Sequence, residues 1–173
     1  MKWILVLIFL PVLMAYRNII LIGMPDSGKT YLGKHLSQFL KVPFYDSDTH
    51  NPHFKEIKNN TTSWNRFRKK ESEIINSWMD KEESKIISTG GGCIENHVLY
   101  HKLLNRSKKD CIIHILRRNT NANTKTIKNL PKSTPELWKK RSKWYFLVSD
   151  YNYWNIYDYS TFLDWFLSLD DTL

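Results

Sequence analysis

The chain has 173 residues, 42% of them hydrophobic and 25% charged, and a formal net charge of +9. This is the length and apolar content of one domain with one sizeable core, which excludes a disordered or collagen-like chain. Its two cysteines, Cys93 and Cys111, form no disulfide framework and have no metal-ligand spacing, so they read as thiols of a reducing compartment, the cytoplasm. The positive balance suits an anionic partner. Nucleotides would satisfy it, and so would a lysine-rich surface of no functional meaning. No nucleic-acid motif accompanies the charge, so nucleic acid is not an expected partner.

Residues 1–16 form an apolar leader ahead of a single domain spanning 17–173. Trp3 to Tyr16 follows Lys2 and is interrupted by Pro11, and it falls short of the ~20 residues a spanning helix requires. Leu13 makes a poor small-x-small cleavage site before Ala15. Three readings stay open: translation from Met14, a membrane-targeting segment, or extra packed structure. Membrane association is expected only if this segment is retained.

Asn18 to Ile22 is short, β-branched and bounded by Gly23, the pattern of a buried central strand. Gly23-Met24-Pro25-Asp26-Ser27-Gly28-Lys29-Thr30 then fits G-x-x-x-x-G-K-[ST], ahead of a helical pattern over Lys29 to Leu40. A strand delivers the chain to a tight turn whose backbone N–H groups face phosphate oxygens, and the helix adds its positive end. Lys29 would reach the outer phosphates, and the Thr30 hydroxyl would ligate Mg²⁺. The helix carries Leu32, Leu36, Phe39 and Leu40 on one face.

Val42 to Tyr45 predicts a second strand, ending at Asp46. Asp46 and Asp48 are either a polar turn with a helix cap or a functional pair. On an extended segment, alternate positions would put both carboxylates on one side, about 6–7 Å apart. One could then hold a Mg²⁺ water while the other accepts a proton from an attacking hydroxyl. Trp64 to Trp78 has helical spacing. Within it, Arg68 and Glu71 are either a surface ion pair of little value or an arginine oriented by a carboxylate.

Lys85 to Ser88 predicts a third strand running into Gly90-Gly91-Gly92, and Cys111 to Leu116 a fourth. Asn119 to Ser133 reads as a mobile loop. Pro135 to Val148 reads as a helix opened by Ser133-x-x-Glu136, a capping-box pattern. Taken alone, its Arg141 is a solvated residue. Asn155 to Tyr157 predicts a fifth strand and Phe162 to Leu169 a final helix. The six histidines show no metal spacing. Alternating strands and helices imply a parallel sheet covered on both faces, with the phosphate loop, the two aspartates and the triple glycine all at its carboxyl edge, where ligands bind.

Gly23…Gly28-Lys29-Thr30, Phe44-Tyr45-Asp46-Ser47-Asp48, Trp64 to Glu71 with Phe67-Arg68-x-x-Glu71, and Gly90-Gly91-Gly92, in this order, resemble the shikimate kinase family. Gly28 to Leu36 resembles that family's first helix, and Arg141-x-x-x-Tyr145 its late substrate-binding helix. The resemblance covers about residues 17 to 158 and is strongest up to Cys93. It implies a three-layer α/β P-loop kinase fold, a five-stranded parallel sheet with helices on both faces and a lid loop. It further implies a monomer that phosphorylates the 3-hydroxyl of shikimate with ATP and Mg²⁺, a step of aromatic amino-acid synthesis through chorismate. By matching positions, Asp26, Ser27, Gly28, Lys29, Thr30 and Tyr31 would hold ATP, with Lys29 steadying the transferring phosphoryl group. Thr30 would hold Mg²⁺, and Asp46 would assist through water. Asp48 would contact the ring hydroxyls and act as base. Arg68 and Arg141 would pair with the substrate carboxylate, and the Gly91 backbone would close the pocket.

The chain departs from the family at Asp26, where glycine is usual, and in Asn119 to Ser133, which lacks the usual lid arginine, though Lys125 or Lys128 could supply charge without a planar clamp. Two other functions stay open: a related kinase for another hydroxy-acid or polyol, marked by a pocket without paired Arg68 and Arg141, and a degenerate nucleotide-binding module, favoured by those two departures.

Overall fold

The computed structural model describes residues 16–59, 63–117, 134–156 and 158–169. The leader up to residue 15, the predicted loop over 119–133 with Lys125 and Lys128, and Tyr157 lie outside the described residues. Five parallel strands stand in the order β2-β3-β1-β4-β5: β1 (Asn18–Ile22), β2 (Phe44–Asp46), β3 (Lys85–Ser88), β4 (Asp110–Arg117) and β5 (Tyr151–Asn155). Between and after them run α1 (Lys29–Leu40), α2 (Ser47–His50), α3 (Phe54–Lys58), α4 (Trp64–Met79), α5 (His97–Leu104), α6 (Pro135–Val148) and α7 (Tyr159–Ser168), with a 3₁₀ turn at Cys93–Glu95.

Strand periodicity sorts the core into two layers. Ile19 and Leu21 point to one face and meet Leu32, Leu36 and Leu40 of α1 and Phe162 and Phe166 of α7. Ile20 and Ile22 point to the other and meet Ile75, Trp78 and Met79 of α4, Leu99 and Leu103 of α5, and Tyr145 and Val148 of α6. All five residues of β1 are buried, as a strand covered on both faces requires. Each such aliphatic side chain stabilises the fold by roughly 1.5–3 kcal/mol. The helix starts are set by caps: Ser63 accepts from the Arg66 N–H at 3.3 Å to open α4, and Thr134 accepts from the Leu137 N–H at 3.2 Å to open α6.

The amino edge of the sheet is closed by polar groups that satisfy one another. Asn18, Lys85 and Asp110 stand at the first, register-matched positions of β1, β3 and β4. Asn18 donates to Asp110 at 2.7 Å, Lys85 donates to Asn18 at 3.2 Å, and Arg17 pairs with Asp110 at 3.2 Å.

Several predicted elements are displaced. The fifth strand runs over Tyr151–Asn155 rather than 155–157, because Asp150 ties the turn after α6 to β4: its N–H donates to the Ile112 carbonyl, and its carboxylate accepts from the Ile112 N–H. The final helix starts three residues earlier than expected, where the Asp158 side chain accepts from the Ser160 N–H. The cap of α6 is Thr134 and not Ser133, with Pro135 in the first turn, where its missing N–H is no loss. Asp48 lies in the first turn of α2, so Asp46 and Asp48 are not alternate residues of one extended segment. No helix among the described residues is long and apolar enough to cross a membrane.

Candidate active site

Each loop at the carboxyl edge begins where a strand ends in that buried sheet. After β1 the chain turns at Gly23, where a side chain would place Cβ 2.4 Å from the Ile115 carbonyl oxygen of β4. Asp26 adopts φ 60° and Gly28 φ 93°, left-handed values that place successive N–H groups on the inside of the turn. Asp is among the few side chains that enter this region readily, so Asp26 fits the turn where the family has glycine. No side chain caps α1, which leaves its first N–H groups for an anion.

Lys29 is buried at the head of α1. Its ammonium donates to the Gly23 and Met24 carbonyls at 3.0 and 2.8 Å and to Ser27 Oγ at 3.4 Å. Burial lowers its pKa, and the nearby carboxylates Asp48, Asp46 and Asp26 pull the other way. Thr30 Oγ1 donates to Asp46 Oδ2 at 2.6 Å, and Ser88 Oγ stands 3.5 Å from it. Asp46 uses its other oxygen to cap α2, accepting the Asp48 and Thr49 N–H groups at 3.0 and 3.3 Å. The cap is thus present, and the second oxygen faces Thr30 of the phosphate loop. A hydroxyl and a carboxylate oxygen side by side, both hard donors, fit Mg²⁺.

The acceptor end is a second network. The Gly90 N–H donates to Ser47 Oγ at 2.8 Å, Ser47 donates to Glu71 Oε1 at 3.1 Å, and Arg68 Nη1 donates to the other Glu71 oxygen at 2.5 Å. Glu71 is buried and the Arg68 side chain only 13% exposed, so this pair is no surface ion pair. Gly90 is required here: a Cβ would lie 2.1 Å from Glu71 Oε1 and 2.7 Å from Asp48 Oδ1. Burial raises the Asp48 pKa to about 6, with Glu71 and Asp46 adding like charge. Arg68 is further held with its guanidinium 5.2 Å above the Trp64 ring and 5.1 Å from that of Phe67.

Arg141 of α6 is buried, against the expectation of a solvated residue. It donates from Nε to Glu95 at 3.0 Å, and one turn further along α6 the Tyr145 hydroxyl donates to the Gly91 carbonyl. Arg68 and Arg141 line one cavity of about 650 Å³, together with Trp64, Glu95, His97 and Lys140. Asp48 and Lys29 do not line it; Asp48 stands beside the network, its Oδ1 2.7 Å from where a Gly90 Cβ would lie. Gly91 separates the two ends, since a Cβ there would meet Pro25 of the phosphate loop at 2.5 Å.

Of the residues singled out from sequence, Ser27, Gly28, Lys29, Thr30 and Asp46 gather at the phosphate end, and Asp48, Arg68, Gly91 and Arg141 at the acceptor end. Tyr31 stands apart: it is exposed, and its ring lies 4.4 Å from that of His35. Sequence reasoning passed over three residues. Ser47, between the two aspartates, joins Gly90 to Glu71. Asn155 donates to the Ser27 carbonyl at 2.8 Å, and its amide fills the space a side chain at Gly28 would need, 2.2 Å from such a Cβ. Glu95 follows the triple glycine by three residues, with no motif to mark it.

The shikimate kinase family model matches residues 25–159. A shikimate kinase of Clostridium botulinum (strain Okra / Type B1) is 49% identical over 80 residues, covering 44% of this chain and 46% of that protein. Pentafunctional AROM polypeptide 2 of Lodderomyces elongisporus is 30% identical over 150 residues, 80% of this chain but 10% of that one. The matches thus span about half or less of these relatives' length. A shikimate kinase from Acinetobacter baumannii in complex with shikimate shares the fold, with a TM-score of 0.73 and 21% identity over 92% of this chain and 97% of that one. A second, from Aquifex aeolicus, has a TM-score of 0.69 and 25% identity, covering 90% and 97%. With the family model matched from the phosphate loop to the start of α7, over the same residues that build both ends of the site, this chain belongs to the shikimate kinase family.

Proposed function

We propose that this chain transfers the terminal phosphoryl group of ATP to the 3-hydroxyl of shikimate, giving ADP and shikimate 3-phosphate. The observation that carries the reading is a phosphate loop that abuts, at Gly91, a cavity lined by two arginines from distant helices. That pairing separates a carboxylated acceptor from the polyol of a related kinase. The turn accommodates Asp26, whose carboxylate beside the phosphates remains, with the lid, a feature that favours a degenerate module.

In this mechanism the phosphate-loop N–H groups and the head of α1 hold the ATP phosphates, and Lys29 steadies the group in transfer. Arg68 and Arg141 hold the acceptor carboxylate, which fixes the ring and turns its hydroxyl toward Asp48. Asp48 takes the hydroxyl proton as the acceptor oxygen bonds to phosphorus and the bond to the ADP oxygen breaks. Its raised pKa suits it to this task near neutral pH. Thr30 and Asp46 would hold Mg²⁺, whose chemistry is to neutralise phosphate charge. Alignment and charge stabilisation do most of the work in such a transfer. A monomer in the cytoplasm accords with a site drawn from one chain and with two buried free thiols.

The test is ADP release by the purified chain with ATP and Mg²⁺, against shikimate and a panel of sugar acids and polyols. Turnover should be confined to shikimate and close carboxylated analogues. Equal turnover of an uncharged polyol, or none of any acceptor, overturns the reading.

A further inference from the structure

Both arginines of the acceptor cavity have a carboxylate of their own: Glu71 for Arg68, and Glu95 for Arg141. The first pair lies within one helix. The second bridges two elements, the 3₁₀ turn after the triple glycine and α6. Glu95 is fixed at its backbone, its N–H donating to the Gly92 carbonyl at 3.0 Å, and the next residue, Asn96, caps α5 by accepting the Leu99 N–H at 3.0 Å. From there one oxygen, Oε1, receives both Arg141 Nε at 3.0 Å and Lys140 Nζ at 2.9 Å.

A guanidinium has five N–H donors in a planar fork. Glu95 engages it at Nε, and Nη1 is buried without a hydrogen-bond partner among the described residues. A buried charged donor left unpaired is unfavourable, and an anion with two oxygens in a plane is what such a fork pairs with. The long Arg141 side chain has several rotatable bonds, and among the described residues its hydrogen bond to Glu95 is what fixes them. A carboxylate anchored in the glycine loop removes that freedom before the acceptor arrives.

We propose that Glu95 is a positioning residue for the acceptor: it holds Arg141 by Nε and gathers Lys140 beside it, so that the rest of the guanidinium is presented to the acceptor carboxylate. The inference rests on the shikimate reading above. Its rival is that Glu95 competes with the acceptor for Arg141, and the two differ in sign.

The experiment measures steady-state kinetics of the full chain and its E95A, E95D and E95Q variants, with shikimate varied at saturating ATP. Positioning predicts that E95A raises KM for shikimate about tenfold, as for a lost hydrogen bond to a charged group. Both kcat and KM for ATP should stay near the parent values. E95D, one methylene too short, should behave like E95A and stands in for it if E95A does not fold. E95Q should recover most of the loss, because its amide oxygen still accepts from Nε. An unchanged or lowered KM in E95A and E95D overturns the proposal, and so does a Gln variant as poor as Ala. If the parent itself does not phosphorylate shikimate, the functional reading fails, and the Arg141 Nε–H resonance decides this one alone. Protection in the parent and E95Q, lost in E95A and E95D, supports the tether; equal exchange in all four overturns it.

Discussion

The phosphate end and the acceptor end of this site are built by opposite means. The first is chiefly one run, Gly23 to Thr30, shaped by backbone conformation at a single strand–helix junction, with Asp46 brought in from β2. The second draws Asp48, Arg68, Glu95 and Arg141 from separate elements, and the arginines are held by bonds to Glu71 and Glu95, with Ser47 tying Glu71 to the Gly90 N–H. Phosphate is a common ligand that backbone N–H groups can bind, whereas a particular acceptor needs charges placed by tertiary structure.

If that division is right, substitutions at the two ends should separate cleanly. Lys29→Ala should give the largest effect, lowering turnover by roughly 10²–10³-fold or more, as for loss of a donor aimed at developing charge. Shikimate affinity, measured by titration, should change little. Normal turnover in that variant would sink the division and the kinase reading together.

Arg68→Leu and Arg141→Leu should each weaken shikimate binding by about 1.5–3 kcal/mol with ATP affinity nearly unchanged. The two should differ in stability. Loss of Arg68 strands the buried Glu71 carboxylate, which costs about 3–5 kcal/mol in such pairs and should show in thermal melts. Glu95, partly exposed and still paired with Lys140, should tolerate loss of Arg141 better. Arg68→Lys should remain poor, since an ammonium lacks the planar fork. A main loss in ATP affinity for either Leu variant would return Arg68 to a purely structural partner of Glu71.

A pH profile probes the junction between the ends. In the proposed transfer Asp48 would act as a base only when ionised, and its pKa is raised to about 6. Below that value the proton is already in place, so kcat/KM for shikimate should fall as pH drops through about 6 and level off above it. A profile flat from pH 5 to 8 would remove Asp48 from the proton transfer. The smallest expected effect is Asn155→Ala, which removes one hydrogen bond to the Ser27 carbonyl. It should weaken ATP binding by about 1 kcal/mol without altering shikimate affinity, a few-fold change visible by titration.

The same contrast explains what could be read from the sequence. The phosphate loop was legible because its chemistry is local: glycines where φ turns positive, then lysine and threonine at the head of a helix. Sheet and layers were legible because β1, β3 and β4 are apolar runs between helical patterns. Phe67-Arg68-x-x-Glu71 was legible since both partners share one helix. Arg141 was marked only by the family resemblance and Glu95 not at all, because their pairing depends on how α6 packs against the turn after the triple glycine. Ser47 was hidden between two aspartates that drew the attention. The fifth strand was misplaced for a related reason. β5 pairs on one side only, its residues Tyr151-Asn152-Tyr153-Trp154-Asn155 have no apolar run or strict alternation, and its register is dictated by β4 through Asp150 and not by its own pattern.

The Gly91 peptide is shared by the two ends: its Cα lies against Pro25 of the phosphate loop, and its carbonyl accepts from Tyr145 of α6. A cavity retuned from α6 alone would press through that peptide on the phosphate loop. Tyr145, Gly91 and Pro25 therefore have to be redesigned as one unit, like a keystone and the two stones it holds apart.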